Sequence, residues 1–211
     1  MKIKVCGMKY KQNIEQVGSL QPDFMGFIFY DKSKRNFEGL IPEIPNNIKK
    51  VGVFVNAQQN EVVKLVQQYE LDAVQLHGDE TARYCGELNE VLKNKVLVIK
   101  AFSVSDTFDF DQLNEYESKC DFFLFDTKGK ERGGNGVLFD WSLLQEYRND
   151  KPYFLSGGIG PNHVEELKYF LASESSKNCY AIDVNSRFES GPGMKKVMEL
   201  EKFMESIKKM N

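Results

Sequence analysis

Short runs of β-prone residues alternate along the chain with longer stretches whose apolar residues recur at helical spacing. The run 23–30 is almost entirely apolar, which is typical of a strand that is covered on both faces of a parallel sheet. Ile14, Val17 and Leu20 instead form the stripe of an amphipathic helix. Eight strands are predicted, at 3–6, 23–30, 50–55, 73–76, 96–102, 121–126, 153–156 and 180–183.

Helical patterns follow most of these runs. Pro42 and Pro45 permit only a short helix in 40–47, whereas Asn56 is a plausible cap for the helix after the third strand. Residues 127–138 contain four glycines and are predicted to form a long loop, which in a compact domain is usually functional. Helices are predicted at 13–20, 56–69, 79–92, 108–118, 140–148, 163–171 and 191–209.

Eight strand–helix pairs with no repeat and no linker predict an α/β fold, a single (β/α)8 TIM barrel that spans residues 1–211 as one domain. The alternative is an open doubly wound sheet. That fold would need a glycine-rich G-x-G-x-x-G turn after the first strand, and Cys6-Gly7-Met8 does not match it.

Composition narrows the possible partners. The 211 residues are 41% hydrophobic and 28% charged, with a formal net charge of −3, which disfavours nucleic acid as a partner. The N-terminus lacks the apolar segment of a signal peptide, and no apolar run approaches the roughly 18 residues of a membrane span. Four widely spaced cysteines and two histidines disfavour a zinc site and predict free thiols in a reducing cytoplasm.

Two strand ends carry candidates for acid–base chemistry, because a parallel barrel places its chemistry at the carboxyl ends of its strands. Cys6 ends the first strand, where a thiol that is shifted toward thiolate could act as a base; the alternative is a buried apolar cysteine. Asp126 ends an aromatic strand, where desolvation raises a carboxyl pKa as a general acid requires; the alternative is a capping aspartate. The other three cysteines are assigned to packing.

Turns after the last two strands are candidates for binding a phosphate. Gly157 and Gly158 follow strand seven, and Asp183, Asn185 and Ser186 follow or end strand eight. In barrels of this type the corresponding loops often bind an anion with backbone N–H groups. A tight turn without a ligand is the alternative.

Two further side chains have open interpretations. Arg35 follows strand two and could grip a carboxylate with two parallel hydrogen bonds, but a solvated basic loop is the alternative. His77 follows strand four and is either a general acid/base or a histidine that caps a turn.

Several motifs together resemble the phosphoribosylanthranilate isomerase family, and they run through the whole chain in the family's order. They are Lys4-Val5-Cys6-Gly7-Met8, Gly52-Val53-Phe54-Val55, Val74-Gln75-Leu76-His77-Gly78, Gly133-Gly134-Asn135-Gly136 before Phe139-Asp140-Trp141, Ser156-Gly157-Gly158-Ile159, and Asp183 with Pro192-Gly193 and Lys195.

The resemblance implies a barrel of the ribulose-phosphate-binding type and an Amadori rearrangement in tryptophan biosynthesis, without a metal or other cofactor. It implies that Cys6 is the general base, that Asp126 is the general acid, and that Arg35 holds the anthranilate carboxylate. The turns at Gly157-Gly158 and at Asp183, Asn185 and Ser186 would hold the phosphate, and Gln75 and His77 are further substrate-binding candidates. Members of the family occur alone, as dimers and fused to the next enzyme, and for this chain a monomer or a homodimer is expected.

The chain departs from the family pattern at three positions. Asn135 replaces a threonine in the glycine loop, Asn185 replaces a serine in the last phosphate turn, and Arg187 replaces a glycine there, while Glu189 is kept. These departures affect how the phosphate is coordinated and leave the two catalytic candidates in place.

Two other functions stay open at this point. A barrel that binds a phosphosugar without catalysis would need neither Cys6 nor Asp126. An enzyme related to indole-glycerol-phosphate synthase would use lysines at strand ends, and here Lys4 and Lys100 lack the expected glutamate partners in the sequence pattern.

Overall fold

The computed structural model describes residues 1–93, 95–127 and 140–210 of the chain. Eight parallel strands close into one barrel, in which each strand pairs with the next and the eighth pairs with the first. This closure confirms the predicted (β/α)8 barrel and rules out the open sheet. The strands are β1 (Lys2–Val5), β2 (Phe24–Phe29), β3 (Lys49–Phe54), β4 (Ala73–Leu76), β5 (Leu97–Val104), β6 (Phe122–Thr127), β7 (Tyr153–Leu155) and β8 (Cys179–Val184).

Five α-helices are described, and short 3₁₀ segments replace the others. The connection between β2 and β3 contains no helix, in keeping with its two prolines. The α-helices are α1 (Lys11–Ser19), α2 (Gln59–Tyr69), α3 (Ala82–Val91), α4 (Val164–Leu171) and α5 (Val197–Lys208). No helix in the described ranges has the length and apolar character needed to cross a membrane.

The strands bury both faces. Side chains that alternate along β2 to β8 fill the interior of the barrel, and the larger core lies between the strands and the outer helices. The interior cluster consists of Phe24, Val51, Ala73, Ile99, Ala101, Leu124, Phe154 and Ala181. Because these residues plug the barrel below its mouth, polar side chains nearer the carboxyl ends of the strands face the candidate site.

Two predicted helices are 3₁₀ turns in the structure, Phe110–Tyr116 and Trp141–Glu146. At each start an aspartate accepts a hydrogen bond from the backbone N–H two residues ahead, which favours a tight turn. The prediction that Asn56 caps the next helix is wrong, since α2 begins at Gln59 and Asn56 has a φ of 53°. Its Oδ1 instead accepts a hydrogen bond from the N–H of Asp79 at 2.7 Å, which ties two loops of the barrel mouth together.

The last predicted helix, 191–209, begins too early. Two short antiparallel strands, β9 (Glu189–Gly191) and β10 (Met194–Lys195), precede α5. Asn13 of α1 holds β10, because its Nδ2 donates to the Lys195 carbonyl at 2.9 Å and its Oδ1 accepts from the Lys195 N–H at 2.7 Å. This tertiary contact overrides the local helical pattern. The predicted loop 127–138 lies outside the described residues apart from Thr127.

Candidate active site

Cys6 lies directly after β1 at the mouth of the barrel. Its backbone N–H donates to the carbonyl of Val184 at 2.9 Å, which continues the pairing of β1 with β8. The side chain is 4% exposed and packs against β2 at Gly26. A Cβ at Gly26 would stand 2.8 Å from the Cys6 sulfur, so the thiol occupies a slot that only a glycine leaves open.

Lys4 lies below Cys6 on the same face of the strand, because side chains two residues apart in a strand point the same way. Its ammonium is fully buried beside Cys6 and donates to Oδ1 of Asp183 at 2.8 Å. The other carboxylate oxygen of Asp183 accepts from Oγ of Ser156 at 3.2 Å. Lys4, Cys6 and Asp183 therefore form one buried group, called here the Cys6–Lys4–Asp183 cluster.

The charges in this cluster oppose one another. Burial raises the pKa of the Cys6 thiol above its ordinary value, the Lys4 ammonium counteracts that rise, and the Asp183 carboxylate adds to it. Burial alone would lower the pKa of Lys4, but Asp183 and Cys6 raise it above its ordinary value. The sequence-based expectation of a thiol shifted toward thiolate is thus wrong in direction for the chain without a ligand.

Asp126 lies near the end of β6 and is 14% exposed. Its Oδ1 accepts from the Thr127 N–H at 2.9 Å, and its Oδ2 lies 3.3 Å from Nε2 of His77. Nδ1 of His77 lies 2.7 Å from Nε2 of Gln75, a residue of β4. Gln75 therefore contacts His77, and His77 contacts Asp126. Oε1 of Gln75 has no hydrogen-bond partner among the described residues.

Arg35 is bound to a carboxylate of the protein itself. Its Nε donates to both oxygens of Glu189 at 3.0 Å, and its Nη2 lies 2.6 Å from Oε2. Lys195 donates to Oε1 of the same residue at 2.6 Å. Burial pushes the pKa of Glu189 upward, but the hydrogen bonds and charges of Arg35 and Lys195 outweigh it and hold that pKa below its ordinary value.

The turn after β7 has the backbone conformation that its glycines allow. Gly157 and Gly158 have φ values of 93° and 67°, and a Cβ on Gly157 would overlap Thr127. No acceptor among the described residues takes a hydrogen bond from the N–H groups of Gly157, Gly158 or Ser186. Three backbone donors at this turn and the next are therefore available to a ligand.

The turn after β8 differs in part from the expectation. The carboxylate of Asp183 is engaged by Lys4 and Ser156, so it faces the interior of the barrel. Asn185 accepts through its Oδ1 from Nζ of Lys195 at 2.7 Å. Arg187 is exposed, and its Cβ and Cγ lie beside Gly160; Asn135 lies outside the described residues.

Cys85, Cys120 and Lys100 lie in packed or ion-paired environments away from the Cys6–Lys4–Asp183 cluster. Burial raises the pKa of Cys85 and of Cys120 to about 12, which agrees with a packing role. Lys100 does have an acidic partner, contrary to the expectation, because its Nζ lies 3.2 Å from Oε2 of Glu80. No group of three or more potential metal ligands occurs among the described residues.

The family model described as N-(5'phosphoribosyl)anthranilate (PRA) isomerase matches residues 3–206 of the chain. The chain belongs to this isomerase family. Two isomerases of the same name are similar over nearly their full lengths. The isomerase of Parabacteroides distasonis is 41% identical, covering 98% of this chain and 93% of that protein, and that of Phocaeicola vulgatus is 36% identical, covering 99% and 98%.

Solved phosphoribosylanthranilate isomerases share the fold. The crystal structure of the Thermotoga maritima isomerase is 32% identical, with a TM-score of 0.81 and 99% of each chain covered. A second isomerase structure, in complex with reduced 1-(o-carboxyphenylamino)-1-deoxyribulose 5-phosphate, is 30% identical with a TM-score of 0.78 and covers 99% of each chain.

Three residues at the mouth of this isomerase were not predicted as site residues. The first family motif includes Lys4 without giving it a role in the site, although its i, i+2 spacing from Cys6 places both side chains on one face of the strand. Glu189 and Lys195 were noted as parts of family motifs. Their contact with Arg35 depends on the tertiary fold, and nothing in the local pattern indicates it.

Proposed function

We propose that this chain isomerises N-(5-phosphoribosyl)anthranilate to 1-(2-carboxyphenylamino)-1-deoxyribulose 5-phosphate, with Cys6 as general base and Asp126 as general acid. The observation that carries the proposal is the family match over residues 3–206, together with the position of Cys6 and Asp126 at one mouth of the barrel. β1 and β6 are three strand positions apart, so the two groups approach a bound sugar from different sides.

The first step needs an acid. Asp126 gives a proton to the ring oxygen of the ribose, the bond between that oxygen and C1 breaks, and the anthranilate nitrogen becomes part of a protonated Schiff base. The contact between Oδ2 of Asp126 and Nε2 of His77 fixes the direction in which the carboxyl group faces. His77 in turn is held by Gln75.

The second step needs a base. The Cys6 thiolate removes the proton from C2, and the electron pair neutralises the Schiff base to give an enolamine. The enolamine becomes the ketone when C1 gains a proton and the hydroxyl group on C2 loses one. A thiol can act in this way only when it is ionised. The Lys4 ammonium beside the sulfur favours that ionised form.

Binding at the two ends of the substrate follows from the remaining groups. The proposal assigns the phosphate to the N–H groups of Gly157, Gly158 and Ser186, which have no acceptor among the described residues. Arg35 would hold the anthranilate carboxylate with guanidinium hydrogens that Glu189 does not use. The complex of a related isomerase with a reduced product analogue supports a phosphorylated ligand of this kind.

The proposal includes a cytoplasmic location and a monomeric or homodimeric enzyme. All four cysteines are free thiols, which supports a reducing compartment. A structure of monomers generated from the dimeric Thermotoga maritima isomerase is 29% identical to this chain, so that relative is a dimer in its unaltered form.

The test uses the purified chain and two readouts. Loss of anthranilate fluorescence measures conversion of the substrate, and calorimetry measures binding of the reduced product analogue. We expect both turnover and binding. Binding without turnover would identify a phosphosugar-binding barrel instead, and the absence of both would refute the proposal.

A further inference from the structure

Lys4 differs from the other buried lysine of the barrel wall in what it binds. Lys100 donates to Glu80 and also to three backbone carbonyls, as expected for a lysine that ties loops together. Within the described part of the chain, Nζ of Lys4 donates to the side chain of Asp183 and to no backbone carbonyl. Lys4 therefore contacts β8 through a side-chain pair and binds no loop backbone.

Burial of this ion pair is costly to the fold. Moving a lysine and an aspartate out of water carries a desolvation penalty that their mutual attraction often fails to offset, so apolar residues would serve the barrel as well. Yet the pair lies directly below the candidate base, on the face that Lys4 shares with Cys6. The position indicates a role in the chemistry of the sulfur.

The charges around the sulfur show why a cation is needed there. When Cys6 ionises, the Cys6–Lys4–Asp183 cluster holds two anions and the one Lys4 cation. Without Lys4, two anions would share a buried site with no cation in direct contact. Lys195 is the other cation near the sulfur, but Glu189 binds it at 2.6 Å and Arg35 lies on the same carboxylate.

We infer that Lys4 is a positioning residue for the proposed reaction, whose buried ammonium, on the strand face that it shares with Cys6, stabilises the Cys6 thiolate. Asp183, bound also by Ser156, anchors the ammonium in this place. This inference rests on the proposed function for its catalytic consequence. Its electrostatic part is a property of the free chain, and the direction of the charge effect of Lys4 on the pKa of Cys6 agrees with it.

The test compares wild type with Lys4→Met, which keeps the length of the side chain and removes its charge. Mass spectrometry of the Cys6 peptide follows its alkylation by iodoacetamide from about pH 7 to about pH 11.5, which gives the midpoint of ionisation. This range is chosen because burial already raises the pKa of the wild-type thiol above its ordinary value. We expect the midpoint of Lys4→Met to rise by about one pH unit or more. We also expect kcat near neutral pH to fall by about tenfold or more, with partial recovery at higher pH and KM within a factor of a few.

Two further variants separate this role from simple support of the fold. Lys100→Met removes a second buried lysine of the barrel strands and should leave the Cys6 midpoint unchanged, whatever it does to stability. If Lys4→Met does not fold, Lys4→Met/Asp183→Asn removes both charges. Its midpoint should still lie above wild type, since Lys4 shares the strand face of Cys6 whereas Asp183 lies on the neighbouring strand β8.

A wild-type midpoint in Lys4→Met, or in the double variant, would overturn the inference, as would an equal shift in Lys100→Met. Because alkylation needs no substrate, it tests Lys4 even if the chain does not isomerise phosphoribosylanthranilate. A raised midpoint with an unchanged pH profile of kcat would overturn the catalytic part alone.

Discussion

Gly26→Ala is the smallest change that should displace the candidate base. The new Cβ would stand 2.8 Å from the sulfur of Cys6 and 3.1 Å from its Cα. Ordinary contacts between nonbonded heavy atoms lie at about 3.5–4.0 Å, so the sulfur must move by roughly 1 Å or β1 and β2 must separate. A misplacement of about 1 Å can cost roughly 10²-fold in rate, and overpacking of this kind costs about 1–3 kcal/mol of stability.

The assay measures kcat and KM of Gly26→Ala by loss of substrate fluorescence, at a temperature well below its thermal unfolding midpoint. We expect kcat to fall by about 10²-fold while KM changes little, because the proposed anchors for the two ends of the substrate lie on other strands and loops.

Gly18→Ala is the matched control. Gly18 lies in α1, and the nearest atom to a Cβ there is Cγ2 of Ile44 at 3.5 Å, which is an ordinary contact. This variant should keep wild-type kcat and gain about 0.5–1 kcal/mol of stability from the helix. Wild-type kcat together with an unchanged rate of Cys6 alkylation in Gly26→Ala would show that the added methyl group does not displace the sulfur.

Three more predictions concern the neighbouring groups. Arg35→Lys keeps the charge but loses the forked geometry of the guanidinium group. Its KM should rise for the substrate and much less for an analogue without the carboxylate. Equal rises in KM would mean that Arg35 does not bind the carboxylate. His77→Asn removes the contact with Asp126 and should lower kcat more than it raises KM in the same assay. Glu189 has a lowered pKa in the fold, so its ion pairs stabilise the protein above pH about 4.3 and are lost as pH falls through the lowered value. Urea unfolding should therefore show a stability gap between wild type and Glu189→Gln at neutral pH that shrinks in acid, and a constant gap would contradict this.

The order of strands and the positions of Cys6 and Asp126 at the strand ends were predictable because they depend on local patterns. A run of apolar residues followed by glycine or a polar side chain indicates a buried strand and its carboxyl end. This pattern does not depend on which elements pack against the strand. The same reasoning placed Gly157 and Gly158 in a turn, which the structure confirms with positive φ values.

The contacts within the site were not predictable from local pattern. Lys4 pairs with Asp183 only because closure of the barrel brings β1 beside β8, across 179 positions of the chain. The segment before α5 forms strands because Asn13 binds the backbone of Lys195 on both sides. Burial, which raises the pKa of Cys6, is likewise a property of the assembled barrel.

The central claim, that Cys6 and Asp126 perform the isomerisation, is tested most directly by single-turnover rates. Excess enzyme is mixed with substrate, and loss of fluorescence is followed for wild type, Cys6→Ser and Asp126→Asn. Cys179→Ala is the control, because Cys179 is the first residue of β8, at the end of the barrel away from the mouth. The account predicts that each of the first two variants slows the step by roughly 10²–10⁴-fold while the control keeps the wild-type rate. A wild-type rate in either Cys6→Ser or Asp126→Asn would contradict it.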